Sequence, residues 1–110
     1  MGLKVIRWEA AWGPVSEQTM RRQLAAAGYR VSAYCYPPGT CFPPHRHAVH
    51  KRDAVLAGKL KISWPATAGS PAGSVVLEAG DMIEIPAGAE HSAEVVGPET
   101  VFSLDATKAP

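Results

Sequence analysis

The sequence predicts an all-β domain, a barrel or sandwich of short strands, with one short helix near the N-terminus. Glycine and proline contribute 10 residues each to a chain of 110. Their share is roughly 18% against a typical ~12%, and this excess disfavours a helical bundle. Short strand-like segments follow one another between these glycines and prolines, which is typical of a sandwich or barrel.

The composition fits one globular domain and excludes several classes of partner. A length of 110 residues with 46% apolar residues is enough for a single packed core. With 11 basic and 10 acidic residues the net charge is +1, so we expect no nucleic-acid partner and no membrane partner. No apolar run approaches the ~18 residues of a membrane span. The charged first residues leave no core for a signal peptide, so a cytoplasmic protein is expected.

A short helix is predicted to begin after Ser16 and to end before Gly28. The Ser16 side chain can accept a hydrogen bond from a free N–H group of the first turn, and the run 25–27 of alanines favours helix. Glycine is common just past the C-terminus of a helix. We therefore divide the chain into an N-terminal arm and helix, residues 1–28, and a β-barrel domain, residues 29–110.

The strands of the barrel are predicted from apolar runs bounded by glycine and proline. In order, they are Tyr29–Tyr36, Cys41–His47, Asp53–Ala57, Lys59–Trp64, Ser74–Glu78, Met82–Ile85, Ser92–Val96 and Thr100–Asp105. Pro43 and Pro44 lack the N–H group that a central strand donates, so the second strand is predicted to be an edge or bulged strand. Gly58 separates two strands and predicts a tight hairpin.

Cys35 and Cys41 are too few for a disulfide scaffold, and a reducing cytosol keeps them as thiols. The favoured interpretation is that both are small buried apolar residues. The alternative is that Cys41 lies near a functional site, because it precedes His45 by four residues.

His45 and His47 are the candidate metal ligands that lie closest together in the sequence, and His50 follows them. Alternate residues of a strand point to the same side of a sheet, so both imidazoles face one way and Arg46 faces the other. Transition metals accept two such imidazoles at ~2.1 Å. Two surface histidines on an edge strand give the same pattern, so this segment alone leaves both interpretations open.

A second segment, Gly80–His91, supplies another histidine. It contains a short strand, a turn with Pro86 and Gly88, and His91 at the start of the next strand. A turn of this composition fixes the direction of the backbone, so it can aim one side chain into the mouth of a barrel.

The two segments resemble the two sequence motifs of the cupins. The residues at the expected spacing are Gly39, His45, His47 and Gly58 for the first motif, and Gly80, Pro86, Gly88 and His91 for the second. The resemblance implies an all-β cupin jelly-roll β-barrel with a short N-terminal helix. It also implies that His45, His47 and His91 bind a divalent transition metal, with Zn, Fe, Ni and Mn as the candidates.

Two positions depart from the cupin pattern. Lys51 replaces the glutamate that usually binds the metal, and Val95 replaces the asparagine of the second motif. An ammonium group cannot bind a metal ion and repels a divalent ion in a dry site. Three alternatives stay open. The histidines hold the metal while Lys51 turns away or pairs with Asp53, His50 joins as a fourth ligand, or no metal binds and the histidines hold an anion together with Lys51.

The remaining cavity wall follows from the two-residue period of the strands. Substrate contacts are expected from Lys51, Val55, Ile83 and Val95, with Trp64 and Phe102 as further candidates. Glu84 and Glu94 alternate with residues of the interior face, so we expect both to face solvent and neither to bind the metal. An eight-stranded barrel has room for one small ligand.

Two functions are compatible with such a site. The first is a metal-dependent enzyme on a small organic molecule, an oxygenase or isomerase by analogy with other cupins. The second is a non-catalytic module that binds or senses a metabolite or metal, which the loss of the glutamate favours. A homodimer is also expected, because small cupins pair through sheet edges and because Trp8, Trp12 and the helix offer apolar surface.

Overall fold

The computed structural model describes residues 3–110, which form two antiparallel sheets packed face to face and one α-helix. The elements in chain order are β1 (Lys4–Ile6), a 3-10 turn (Ala10–Trp12), α1 (Glu17–Ala26), β2 (Arg30–Tyr36), β3 (Cys41–His45), β4 (His50–Ala57), β5 (Lys59–Trp64), β6 (Gly73–Leu77), β7 (Met82–Ile85), β8 (His91–Val96) and β9 (Val101–Lys108). The larger sheet has the order β1-β7-β4-β9-β2 and the smaller one β3-β8-β5-β6. The all-β fold with a short N-terminal helix is confirmed.

The facing sides of the two sheets enclose the main hydrophobic core. Its buried members are Val55, Leu60, Ile62, Leu77, Ile83, Ile85, Val95 and Val101. Burying each side chain of this size contributes roughly 1.5–3 kcal/mol, so this layer fixes how the sheets face each other. The candidate site lies between the same two sheets.

Helix α1 closes a second core on the outer face of the larger sheet. Oγ of Ser16 accepts a hydrogen bond from the N–H group of Thr19 at 3.1 Å, and Gly28 follows the helix with φ +89°. Met20 and Leu24 are fully buried in this core. Both ends of the helix therefore follow the prediction. Neither α1 nor the 3-10 turn, the helices among residues 3–110, is long and apolar enough to cross a membrane.

The arm before the helix contains a strand that the sequence did not predict. β1 pairs antiparallel with β7, with Val5 opposite Ile83. Three residues are too few to show an alternating pattern, and the pairing joins parts of the chain that lie far apart in sequence. This strand is therefore decided by a long-range contact.

Trp8 and Trp12 find their apolar partners within the chain. Their rings meet edge to face at 5.2 Å, and both pack against the core under α1. Trp8 also lies so close to Gly80 that a Cβ there would stand 2.8 Å from the Trp8 Cβ. These two tryptophans therefore give no support to the expected dimer.

The proline-containing strand is an edge strand with a bulge, as predicted. β3 is one of the two edge strands of the smaller sheet, and its register against β8 shifts between Phe42 and His45. Two other strands are longer than predicted, since β4 begins at His50 and β9 runs to Lys108. These two residues pair with each other at the end of the β4–β9 ladder.

Both cysteines are exposed, so the interpretation as buried apolar residues is wrong. Cys35 lies on β2 and Cys41 begins β3, and each of these strands is the outermost one of its sheet. An outermost strand has a neighbour on one side only, which leaves its side chains more accessible. Cys41 also lies outside the cavity that holds the histidines.

Candidate metal centre

Three histidines from two neighbouring strands and the turn after β3 form a compact cluster. His45 at the end of β3 pairs in register with His91 at the start of β8, and their ring centroids are 4.3 Å apart. The ring of His47 lies 4.8 Å from that of His45 and 5.3 Å from that of His91. One ring nitrogen from each residue lies within 4.8 Å of the other two.

The turn between β7 and β8 holds this cluster together. The N–H group of Gly88 donates to the carbonyl oxygen of His47 at 2.8 Å, and the N–H group of Ala89 donates to that of Pro86 at 3.1 Å. The first bond ties the segment after β3 to the turn before His91. The proline and glycine of the second motif thus aim His91 at the other two rings.

The hydrogen bonds of the rings define which nitrogens are free. Nδ1 of His45 lies 2.7 Å from the carbonyl oxygen of Pro43, and Nδ1 of His91 lies 3.0 Å from that of Ala89. A carbonyl oxygen only accepts, so Nδ1 carries the proton and Nε2 offers a lone pair. Nε2 of His47 is buried and has no hydrogen-bond partner among the described residues.

The environment favours the neutral form of His47 and His91. Burial lowers the pKa of His47, and the nearby positive charge of Lys51 lowers it further. Burial also lowers the pKa of His91, against the opposing effect of its hydrogen bond to Ala89. Neutral imidazole is the form that binds a metal ion.

The donor set fits a divalent transition metal. Backbone carbonyls orient two of the rings, as outer partners do for metal-binding histidines, and the third ring presents an unpartnered nitrogen. Two ligands of one ion at ~2.1 Å lie at most ~4.2 Å apart, so small ring rotations bring all three nitrogens onto one ion. His45, His47 and His91 are the residues that would hold it.

The wall opposite the histidines belongs to the larger sheet and is charged. Nζ of Lys51 lies 3.3 Å from Oδ1 of Asp53 and 3.7 Å from Oδ2 of Asp105. The hydroxyl group of Tyr36 donates to Oδ2 of Asp105 at 3.0 Å, and that of Ser103 donates to Oδ1 at 2.9 Å. Of the arrangements left open for Lys51, the structure has the pairing with Asp53.

The two carboxylates of this wall stand opposite each other. Asp53 on β4 pairs in register with Asp105 on β9, and like charges at such positions repel. Burial, and next the charge of Asp105, raise the pKa of Asp53 to about 6, while Lys51 opposes the rise. Burial and then Asp105 also raise the pKa of Tyr36.

A cavity of about 210 Å³ lies between the histidines and the charged wall. Its lining consists of Tyr36, Phe42, His45, His47, Lys51, Asp53, Leu60, His91, Ala93 and Asp105. The predicted residues His45, His47, His91 and Lys51 are therefore brought together here. Phe42, Leu60 and Ala93 supply its purely apolar surface.

Three expected substrate contacts lie elsewhere. Val55, Ile83 and Val95 are buried in the core between the sheets and do not line the cavity. The two-residue period assigned them to the interior face, but it carries no information on depth along the strand. Trp64 lines a separate cleft, and Phe102 is 49% exposed on the outer face of β9.

His50 does not join the other histidines. It precedes Lys51 on β4, so its side chain lies on the opposite face of the sheet. There its Nδ1 accepts a hydrogen bond from the N–H group of Ala87 at 2.9 Å. Glu84 pairs with Arg52, and Glu94 is exposed, so neither contributes a carboxylate to the histidines, as expected.

Sequence reasoning missed Tyr36, Phe42 and Asp105. Alternation along β9 places Asp105 on the same face as Ser103 and Val101, so an acidic residue on an interior face was the available signal. Tyr36 ends β2 and Phe42 is the second residue of β3, and their rings meet edge to face at 5.0 Å. No local pattern predicts that contact.

The family of this chain can be identified from the segment that runs from β2 to β9, which includes strands of both sheets. Residues 33–106 match a family model described as a cupin domain. The chain belongs to the cupin family. The resemblance of the two motifs is thereby confirmed, and with it the fold class. No curated protein shows significant sequence similarity to this cupin.

Solved structures with a similar fold include an enzyme and a chain bound to another protein. Oxalate decarboxylase of Bacillus subtilis, described with Mn(II) centres, matches with a TM-score of 0.63 and 25% identity over 72% of this cupin and 21% of that chain. Drosophila melanogaster CENP-C bound to CAL1 matches with a TM-score of 0.64 and 18% identity over 71% of this cupin and 63% of that chain. This cupin thus spans about a fifth of the length of the decarboxylase chain.

Proposed function

We propose that this cupin binds one divalent transition metal through Nε2 of His45, His47 and His91. We further propose that it is a metal-dependent enzyme acting on a small organic molecule in the adjoining cavity. Zn, Fe, Ni and Mn are the candidate ions, since imidazole ligands suit the first three and oxalate decarboxylase is described with Mn(II).

One observation carries this proposal. Nε2 of His47 is buried without a hydrogen-bond partner among residues 3–110, although a buried polar atom normally has one. It faces two imidazoles that backbone carbonyls hold in the matching tautomer. A metal ion would supply the missing partner of His47 and would bind one nitrogen of each of the other two rings.

Lys51 does not prevent metal binding in this arrangement. Its ammonium lies between Asp53 and Asp105, so one positive charge faces two negative ones. The same balance disfavours the alternative in which the histidines and Lys51 hold an anion, because the anion would meet two carboxylates.

Three histidines leave coordination positions for a substrate or water. A metal ion held in this way acts as a Lewis acid or lowers the pKa of bound water. The residues of the chain supply the binding surface, with apolar contacts from Phe42, Leu60 and Ala93 and polar contacts from Lys51 and its two partners. An oxygenase or isomerase reaction is the proposed activity.

Elemental analysis of protein purified without added metal tests the metal site. We expect stoichiometric Zn, Fe, Ni or Mn in the wild type and loss of that metal in His47→Ala. A wild type that takes up no metal, even after incubation with each ion, would overturn the proposal.

A second candidate function is a module that binds or senses a metal or metabolite without turnover. The observation that favours it is Lys51, which leaves the ion without the glutamate that other cupins supply. Tightly bound Zn without turnover supports this function. Bound Fe with oxygen consumption on small aromatic or thiol compounds supports the enzyme.

We also propose that the protein is a homodimer in the cytoplasm. β2 is the outermost strand of the larger sheet, and Tyr34 on it and Phe102 beside it are 50% and 49% exposed. Exposed strand edges of this kind pair with other strands. The two exposed thiols suit a reducing compartment.

A further inference from the structure

We infer that the cavity selects a small molecule that carries an amino or hydroxyl group in addition to its metal-binding group, and that Asp53 is the residue that recognises this group. The inference rests on the proposed metal site and names the class of substrate for it. A small dicarboxylate is disfavoured by the same wall.

Asp53 presents an acceptor that nothing in the described chain satisfies. The residue is 7% exposed and lines the cavity. Its Oδ1 is buried and accepts no hydrogen bond from residues 3–110. Lys51 lies 3.3 Å away as an ion-pair partner, so a single ammonium is the near neighbour of this atom. A donor from a bound molecule would complete the site.

Asp105 differs from Asp53 because a hydroxyl group of the chain lies within hydrogen-bond distance of each of its oxygens. Tyr36 donates to one oxygen and Ser103 to the other. Asp105 therefore contributes negative charge to the wall, while Asp53 contributes negative charge and a free acceptor. This difference assigns recognition to Asp53.

The charges of the wall favour a donor over an acceptor. Among the described lining residues, the groups that are charged when the histidines are neutral are Lys51, Asp53 and Asp105. One ammonium and two carboxylates leave an excess of one negative charge when all are ionised. An ammonium or hydroxyl group of a ligand is stabilised here, whereas a second carboxylate is repelled.

The size and apolar surface of the cavity limit the rest of the molecule. At ~30 Å³ per water molecule, a volume of about 210 Å³ suits a compound of few non-hydrogen atoms. Phe42, Leu60 and Ala93 offer apolar contacts from the smaller sheet, the sheet that also carries His45 and His91. A short carbon chain between the two polar groups of the ligand fits this arrangement.

Four probes test the inference because they differ in one group only. They are 3-aminopropionate, 3-hydroxypropionate, butyrate and succinate, which share a carboxylate for the metal and carry an ammonium, hydroxyl, methyl or carboxylate group at the other end. Calorimetric titration of the metal-loaded protein at about pH 7.5 measures each affinity. We expect the first two to bind at least about tenfold tighter than butyrate, and succinate to bind more weakly than butyrate.

Variants of the wall identify the residue responsible. Asp53→Asn is expected to remove the preference for 3-aminopropionate over butyrate when both are measured on the metal-loaded variant. Lys51→Met is expected to strengthen that preference, because it removes the positive charge. Glu94→Gln, an exposed carboxylate on the smaller sheet outside the cavity, is the matched control and should bind all four probes as the wild type does.

Each outcome decides for or against the inference. Succinate binding as tightly as 3-aminopropionate, no binding of any probe, or an unchanged preference in Asp53→Asn overturns it. If thermal melting shows that Asp53→Asn is unfolded, Asp105→Asn takes its place and is expected to weaken the preference for the ammonium probe. Elemental analysis of the same samples reports on the proposed metal site separately. If no metal is bound, the same order of affinities is expected for the metal-free protein, because the charge of the wall is independent of the ion.

Discussion

The ammonium of Lys51 lies 3.3 Å from Oδ1 of Asp53, on the cavity wall that faces three histidines. Lys51 occupies the position at which other cupins carry a metal-binding glutamate, so an unbalanced positive charge would repel a divalent ion. Asp53 and Asp105 together supply two negative charges beside it. One lysine and two aspartates, when all are ionised, together carry the same net charge as a single glutamate.

Replacing His47 by alanine should abolish metal retention and leave the barrel folded. His47 presents the buried unpartnered nitrogen, and its side chain belongs to neither hydrophobic core. We expect metal affinity to fall by more than ~100-fold, measured by competition with a chelator, with little change in the thermal unfolding temperature.

His50→Ala is the matched control for that experiment. His50 faces away from the cluster and accepts a hydrogen bond from the N–H group of Ala87. The variant should keep its metal and lose about 1 kcal/mol of stability. Stoichiometric metal in His47→Ala, or metal loss in His50→Ala alone, would show that the assignment of ligands is wrong.

Replacing Lys51 by methionine should strengthen metal binding at about pH 8. The substitution removes a positive charge from a poorly solvated cavity, so we expect metal affinity to rise by at least about tenfold. The free energy of unfolding should fall, since Asp53 and Asp105 lose their counter-charge. Chelator competition and urea unfolding measure the two effects.

Lys59→Met provides the comparison for this variant, because Lys59 is an exposed lysine on β5 that pairs with Glu78. It should change neither property appreciably. Weaker metal binding in Lys51→Met would contradict the electrostatic argument.

Asp53 should make stability depend on pH in a direction opposite to that of most carboxylates. Burial, together with the charge of Asp105, raises the pKa of Asp53 from 3.8 to about 6. The folded state thus binds the proton more tightly than the unfolded state. This contribution to stability is fully present below pH 3.8 and is lost as the pH rises through about 6.

Asp53→Asn removes this pH dependence of stability, so the difference between the wild type and the variant measures it. Between about pH 4 and about pH 7.5, the free energy of unfolding of the variant should rise relative to the wild type by roughly 2 kcal/mol. The lowered pKa values of His47 and His91 act in the opposite direction but are present in both proteins, so they largely cancel. Urea unfolding at the two pH values measures the difference, and a difference that does not vary with pH would exclude this role for Asp53.

The expected homodimer should depend on the exposed edge at β2. Phe102 neighbours this strand, with Cys35 opposite it. Phe102→Lys places a charge there, which opposes edge pairing. We expect a dimer for the wild type at micromolar concentration and a monomer for the variant, by analytical ultracentrifugation.

Val76→Lys serves as the comparison for the dimer, since Val76 is another exposed apolar residue and lies on β6, the edge strand of the smaller sheet opposite β3. It should remain a dimer. A monomeric wild type would refute the expectation.

Much of the fold could be predicted because its signals are local. Ser16 and Gly28 delimit the helix through their own hydrogen bonding and backbone preference, and Pro43 and Pro44 exclude β3 from a central position. β1 could not be predicted, because three residues form a strand only when β7 is present to pair with them.

The candidate site likewise has one part that local sequence patterns predict and another that depends on contacts between distant strands. The spacing of the two motifs is enough to select His45, His47 and His91, which the fold then brings within 4.8 Å. Val55 and Val95 were assigned to the correct face but to the wrong depth, because alternation defines a side of the sheet and nothing more. The contact of Tyr36 with Asp105 joins strands whose relative register no local pattern specifies.

The sequence by itself determined the family, the helix, most strands and the three imidazoles, since each depends on residues a short distance apart or on fixed motif spacing. Only the tertiary structure decided that Lys51 is balanced by Asp53 and Asp105, and that His50 faces away. The physical reason is that the electrostatic environment of a group is a sum over neighbours in space. Those neighbours come from strands whose pairing is fixed by the packing of the whole barrel.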